Sequence, residues 1–221
     1  MMKKNIPLTA LAGVLMTSVA AQASTSHWLL SGTGNWSDSS RWDAVPSTTV
    51  PADIIFDAGA AAMKSIIDSA WATSGSVNGI TFAASATNVA QTIDFGAGVT
   101  SLTIGAGGLT NNRTSGAVTL GSAAAQQVVI GANQTWTLAG TGWGASDVTI
   151  NTSLGGSGNL TLAGKGAVFN FSKGDSVSYS GTLTLRSTTL RLTGASQLSR
   201  LGSSFVFGNG ATGETAPVID I

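Results

Sequence analysis

Short runs that alternate apolar with polar residues recur along this chain at near-constant intervals, and that recurrence limits the folds open to it. One series is "TWTL" (135–138), "NLTL" (159–162), "TLTL" (182–185) and "FVF" (205–207), whose last residues lie 24, 23 and 22 positions apart. A second series falls between them: "VTIN" (148–151), "VFNF" (168–171), "TLRL" (189–192) and "VIDI" (218–221). Its intervals are 20, 21 and 29, the last lengthened by "GNGATGETAP". Each run places apolar residues at i and i+2, the mark of a strand with one buried face. The separators "GGSGN", "AGKG" and "GNG" are turn chemistry. Two or more short strands per period of this length are what a solenoid requires.

The expected fold is therefore all-β: a right-handed parallel β-helix over residues 79–221, with an atypical N-terminal cap over 24–78. In such a fold the strands one period apart stack on each other. An antiparallel β-sandwich is the alternative, but it would join neighbouring strands by hairpin turns. Leu138, Leu162, Leu185 and Phe207 are expected to form one interior column, and Ile150, Phe171 and Leu192 part of another. Composition agrees. Gly occurs 29 times, Glu once (Glu214), and good helix formers other than Ala are scarce. With 43% hydrophobic residues the chain can bury a core.

Residues 1–23 read as a secretory signal. Lys3 and Lys4 precede an apolar stretch, Ile6 to Ala20, and "AQA" (21–23) offers small residues for cleavage before Ser24. The stretch is shorter than the roughly 20 residues of a membrane span. The expected location is extracellular or at the cell surface, the Gram-negative outer membrane or beyond. From Ser24 onward 8 basic residues face 10 acidic ones, which argues against nucleic acid as a partner. With no Cys and a single histidine, His27, neither a zinc site nor a disulfide framework is expected.

Several segments resemble autotransporter-associated β-strand repeat proteins: "GNWSDSSRWDAVP", "DIIFDAG" (53–59), "GITF" (79–82), "QTWTLAG" (134–140) and "SLGGSGNLTLAGKG" (153–166). The resemblance implies export and a passenger-type β-helical stalk, often followed by an outer-membrane barrel or a sorting anchor. Neither pattern is present in these 221 residues. "VIDI" reads as a strand without a polar stop, so the expectation is a truncated helix, or a subunit that stacks end to end on other β-helix chains.

Catalytic chemistry finds little material. A Ser–His–Asp triad would have to use His27. The candidate carboxylates are Asp38, Asp43, Asp53, Asp57, Asp68, Asp94, Asp147, Asp175, Glu214 and Asp220; of those in the periodic region, Asp94, Asp147, Asp175, Glu214 and Asp220, no two lie at matching places in adjacent coils, as a glycosidase would need. "GNGATG" (208–213) has no helix after it to hold a pyrophosphate, and in "GGSGNLTLA" Leu160 stands where a Ca²⁺-binding repeat has Asp. Both read as coil corners. Asn35, Asn112, Asn133, Asn151, Asn159 and Asn170 begin Asn-x-Ser/Thr triplets, read as turn caps ahead of a strand. No cofactor is expected. The expected function is a non-enzymatic exported scaffold, stalk or adhesin-like protein. The alternative is a carbohydrate-binding or polysaccharide-active β-helix.

Trp28, Trp36 and Trp42 sit in a polar stretch that would otherwise be solvated. They could form a sugar-stacking platform, with surface glycans as partner, or plug the open end of the solenoid. The plug is favoured, since residues 24–78 are atypical and contain a helix-like stretch, "AAAMKSIIDSAWA" (60–72).

Overall fold

A computed structural model describes residues 23–57, 62–84, 89–122, 126–139, 147–172, 178–193, 204–208 and 216–221. The stretch expected to be a secretory signal, up to residue 22, lies outside these residues, as do Asp175, Glu214 and most of "GNGATG". The described strands are β1 (Thr25–Trp28), β2 (Gly32–Asn35), β3 (Asp53–Phe56), β4 (Met63–Ile67), β5 (Ser74–Phe82), β6 (Gln91–Phe95), β7 (Ser101–Asn111), β8 (Val118–Leu120), β9 (Gln127–Ile130) and β10 (Gln134–Leu138). They continue as β11 (Val148–Ile150), β12 (Ser153–Gly156), β13 (Leu160–Ala163), β14 (Val168–Phe171), β15 (Ser178–Tyr179), β16 (Thr182–Arg186), β17 (Thr189–Leu192), β18 (Ser204–Phe207) and β19 (Val218–Asp220).

Among the described residues every strand-to-strand ladder is parallel, and none joins strands adjacent in sequence. The chain is a β-solenoid of about six turns with almost no helix. The antiparallel sandwich is thereby excluded. One sheet runs β1-β3-β5-β7-β10-β13-β16-β18, and a second runs β2-β4-β6-β8-β11-β14-β17-β19. A shorter third face stacks the first halves of β5 and β7 on β9, β12 and β15. In β5 and β7 one strand rounds the corner between two faces, with a register shift between Val77 and Gly79.

The alternation in sequence becomes alternation between interior and surface. In the first sheet Ile54, Ile80, Leu109, Trp136, Leu162, Leu185 and Phe207 form one column, at intervals of 26, 29, 27, 26, 23 and 22 residues. The expected column contained Leu138 in place of Trp136. The structure places Trp136 opposite Leu162, while Leu138 lies opposite Asn111 in the column Trp28–Phe56–Phe82–Asn111–Leu138. A slip of two residues keeps every side chain on its own face, so the alternation alone does not detect it. In the second sheet the expected column is present and longer: Ile93, Leu120, Ile150, Phe171 and Leu192.

The stack begins at Thr25, and β5 crosses the expected boundary at residue 78, so the 24–78 segment supplies coils as well as irregular chain. Over the described part of the stretch expected to be helical, 62–72, no helix is formed. Met63–Ile67 is strand β4, with Met63, Ser65 and Ile67 inward and Lys64 outward. The strand's pairing with β2 and β6 overrides the helical propensity of the alanine-flanked stretch around it. At the far end Val206, Phe207, Val218 and Ile221 are exposed on or just beyond the last described strands.

Candidate functional site

The three tryptophans of the opening segment meet inside the protein. Trp28 points inward from β1 and is 1% exposed; Trp36 and Trp42 are 0% and 4% exposed. The chain leaving β2 turns at Trp36 and forms a short 3₁₀ turn, Ser39–Arg41. It then returns so that Trp42 bridges antiparallel to Trp28. Asp38 starts the 3₁₀ turn, its carboxylate accepting from the Ser40 amide at 3.0 Å and the Ser40 hydroxyl at 2.7 Å. Those bonds, helped by Arg41, hold the Asp38 carboxyl below its ordinary value.

The rings pack edge to face. Trp28 and Trp42 have centroids 4.9 Å apart at 89°, Trp36 and Trp42 5.4 Å at 79°, and Trp36 and Trp71 4.8 Å at 62°. Phe56 lies beneath all three of Trp28, Trp36 and Trp42 and stacks on Phe82 in the next coil. Three of the four indole NH groups are tied to the backbone, while that of Trp36 is buried with no hydrogen-bond partner among the described residues. The indole NH of Trp28 donates to Leu30 O, that of Trp42 to Trp36 O and that of Trp71 to Pro46 O. The rings therefore continue the interior column of Phe56 and Phe82. They have no face free for a sugar ring, and the stacking platform is not formed.

His27 lies on the outer face of β1. Its Nδ1 is 2.9 Å from Asp57 Oδ2, and its backbone amide donates to Asp43 Oδ1 at 2.7 Å. The His27 amide is the main cause of the lowered Asp43 pKa. Other carboxylates also take up packing roles. Asp68 accepts from the amide and hydroxyl of Ser37, Asp53 from the Asn78 amide group, and Asp147 from Val168 N. Asp220 pairs with Arg191 at 2.9 Å. Asp94 is the most buried: Lys64 Nζ lies at 2.7 Å, the Ser122 hydroxyl donates at 2.6 Å and the Phe95 amide at 2.9 Å. Burial pushes this carboxyl up, but these partners outweigh burial and it sits below its ordinary value. Among the described residues no three His, Asp or Glu side chains cluster as metal ligands would.

"GGSGN" and the triplets at Asn112, Asn133, Asn151 and Asn159 fall at corners, but Asn35 ends β2 and Asn170 lies inside β14, paired with Thr149 and Arg191, so these two are strand residues and not the expected turn caps. Gly156, at φ +98°, ends β12 inside "GGSGN", and a Cβ there would meet Ile130 O at 2.4 Å. Asn133 Oδ1 accepts from Asn159 N, and Asn159 Oδ1 in turn from Thr182 N, so equivalent corners of three coils are tied together.

Sequence reading missed a concavity on the outer wall. Threonines form ladders on the outside of the first sheet: Thr81, Thr110 and Thr137 in one, Thr135, Thr161 and Thr184 in the next. Along them run two overlapping grooves of about 460 and 480 Å³ that share Thr135 and Thr137. The signal was present as Thr between the apolar positions of successive runs, but only the coil register shows which threonines become neighbours.

The described strands define the class as a parallel β-solenoid, with a buried aromatic cluster in its first coils. No family model, curated protein or solved structure matches the sequence. No helix among the described residues is long and apolar enough to cross a membrane.

Proposed function

We propose that the chain is an exported, non-enzymatic bacterial scaffold, a surface stalk or adhesin-like protein of the autotransporter-passenger kind. The observation that carries this reading is the continuity of the stack: interior columns run coil after coil, and the described carboxylates are spent on corners, turns and ion pairs. A solenoid of this kind is rigid along its axis and presents long outer walls. The Lys3–Lys4 start, the apolar stretch and "AQA" support export. Other solenoid chains are partners in the same reading, meeting the exposed Val206, Phe207 and Val218 of β18 and β19. The test is to express the full chain in a Gram-negative host and sequence the N-terminus of the protein outside the cytoplasm. The scaffold reading expects Ser24 as the first residue. Uncleaved protein confined to the cytoplasm would overturn export.

A further inference from the structure

The bond expected to be cut on export, Ala23–Ser24, lies one residue from the first strand of the stack. Its hydrolysis adds water across the amide, leaving a carboxylate on Ala23 and an α-amine on Ser24. β1 begins at the next residue, Thr25. A single residue of extended chain spans about 3.5 Å. Even that residue is tied to the sheet. The Ser24 carbonyl accepts from the Asp53 amide at 2.7 Å, and Thr25–Trp28 pair residue by residue with Asp53–Phe56 of β3.

The other edge of β1 is held as well. The His27 carbonyl accepts from the Asp43 amide at 3.1 Å, the His27 amide donates to Asp43 Oδ1 at 2.7 Å, and the Leu29 amide donates to Arg41 O at 2.8 Å. This is the segment whose Trp42 bridges antiparallel to Trp28. Inward, Ser26 is 2% and Trp28 1% exposed, and the Trp28 ring packs on Trp42 and Phe56. The side chains of Ser24 and Thr25 are exposed, but the backbone behind them belongs to the ladder. A protease that takes its substrate as an added strand needs free backbone on both sides of the cut bond. Freeing β1 draws Trp28 out of the aromatic cluster, so the site opens only when the first coil opens.

We propose that hydrolysis of Ala23–Ser24 precedes closure of the first coil: β1 shields its own processing site, and a chain that folds before it is cut is refractory to the leader peptidase. The inference rests on the export reading and adds to it an order of events. The chain must reach the peptidase with β1 still unpaired.

The test incubates the full chain, residues 1–221, with a bacterial leader peptidase, once after refolding and once diluted from urea at the moment of mixing. Mass spectrometry follows release of residues 1–23. The refolded chain is cut about a hundredfold more slowly, since only the fraction with its first coil open is a substrate. A variant with a Gly-Ser-Gly-Ser spacer between Ser24 and Thr25 keeps the bond and its flanking residues but moves them off the sheet. Refolded, it is cut at close to the rate of the urea-diluted chain. Equal rates for the refolded and urea-diluted unaltered chain overturn the proposal and leave export standing. A refolded spacer variant as refractory as the unaltered chain also overturns it, because the block then lies elsewhere than β1. No cut at Ala23–Ser24 in either form overturns the export reading and the proposal with it. If the spacer variant does not fold, the two forms of the unaltered chain still decide.

Discussion

The indole NH of Trp42 donates to the backbone carbonyl of Trp36 at 2.9 Å, inside a cluster where their rings meet edge to face. A residue six positions away thus fixes the turn that carries Trp36 over Phe56. Removing either ring opens a large void at the N-terminal end. Trp36→Ala or Trp42→Ala should lower stability by about 3–5 kcal/mol in denaturant unfolding. A surface sugar platform would instead lose ligand and keep its stability.

Gly75 makes room for this cluster from the other side. A Cβ there would lie 2.1 Å from Cζ3 of Trp71, a rigid ring packed on Trp36 and anchored to Pro46 O. Gly75→Ala should cost about 1–3 kcal/mol by overpacking. In a Trp71→Ala background the same change should cost far less. Additive costs in that double-mutant cycle would show that the two sites do not touch.

The columns predict a strict alternation of cost along one strand. Leu162→Ala should lose about 2–5 kcal/mol, whereas Thr161→Ala, one residue away on the outer wall, should stay within about 0.5 kcal/mol. Trp136, 0% exposed, should behave as a core residue. Its NH donates to Gln134 Oε1, while Gln134 Nε2 donates to Ile104 O in the preceding coil. Comparable losses at Leu162 and Thr161 would contradict the inward assignment.

Acid should weaken the fold in a defined direction. Asp38, Asp43 and Asp94 all have lowered pKa values in the folded protein. The unfolded chain binds these protons first, near the ordinary value of about 3.9. The stability they contribute is therefore complete above about pH 5 and is lost as pH falls through the depressed folded values. Asp94→Asn should reduce the slope of that loss in urea midpoints measured across pH 2–6. An unchanged slope would remove the Lys64 pair from the explanation.

Much of the fold was legible because a strand with one buried face writes its period directly into sequence. Ile150, Phe171 and Leu192 could be aligned by eye, and their stacking is found. The register of β10 was not legible. Matching the ends of "TWTL" and "NLTL" gave a step of 24, while the corner geometry sets Trp136 to Leu162 at 26. The strand in "MKSII" was hidden by its alanine flank and by Ser65, a polar residue that is 0% exposed. The burial of Trp28, Trp36 and Trp42 could not be read from their polar sequence neighbours, because it depends on the chain after β2 folding back over Phe56. The groove could not be read, because Thr137, Lys165 and Arg186 come to line it only once three coils are stacked.

Parallel in-register stacking underlies both the scaffold and the groove, and methyl-resolved nuclear Overhauser spectroscopy tests it most directly. With Leu and Ile methyls labelled, strong cross-peaks are predicted between Leu162 and Leu185, between Leu160 and Leu183, and between Leu120 and Ile150, each pair one coil apart. Absence of these three contacts, with cross-peaks instead joining sequence-adjacent strands such as β13 and β14, would contradict the solenoid.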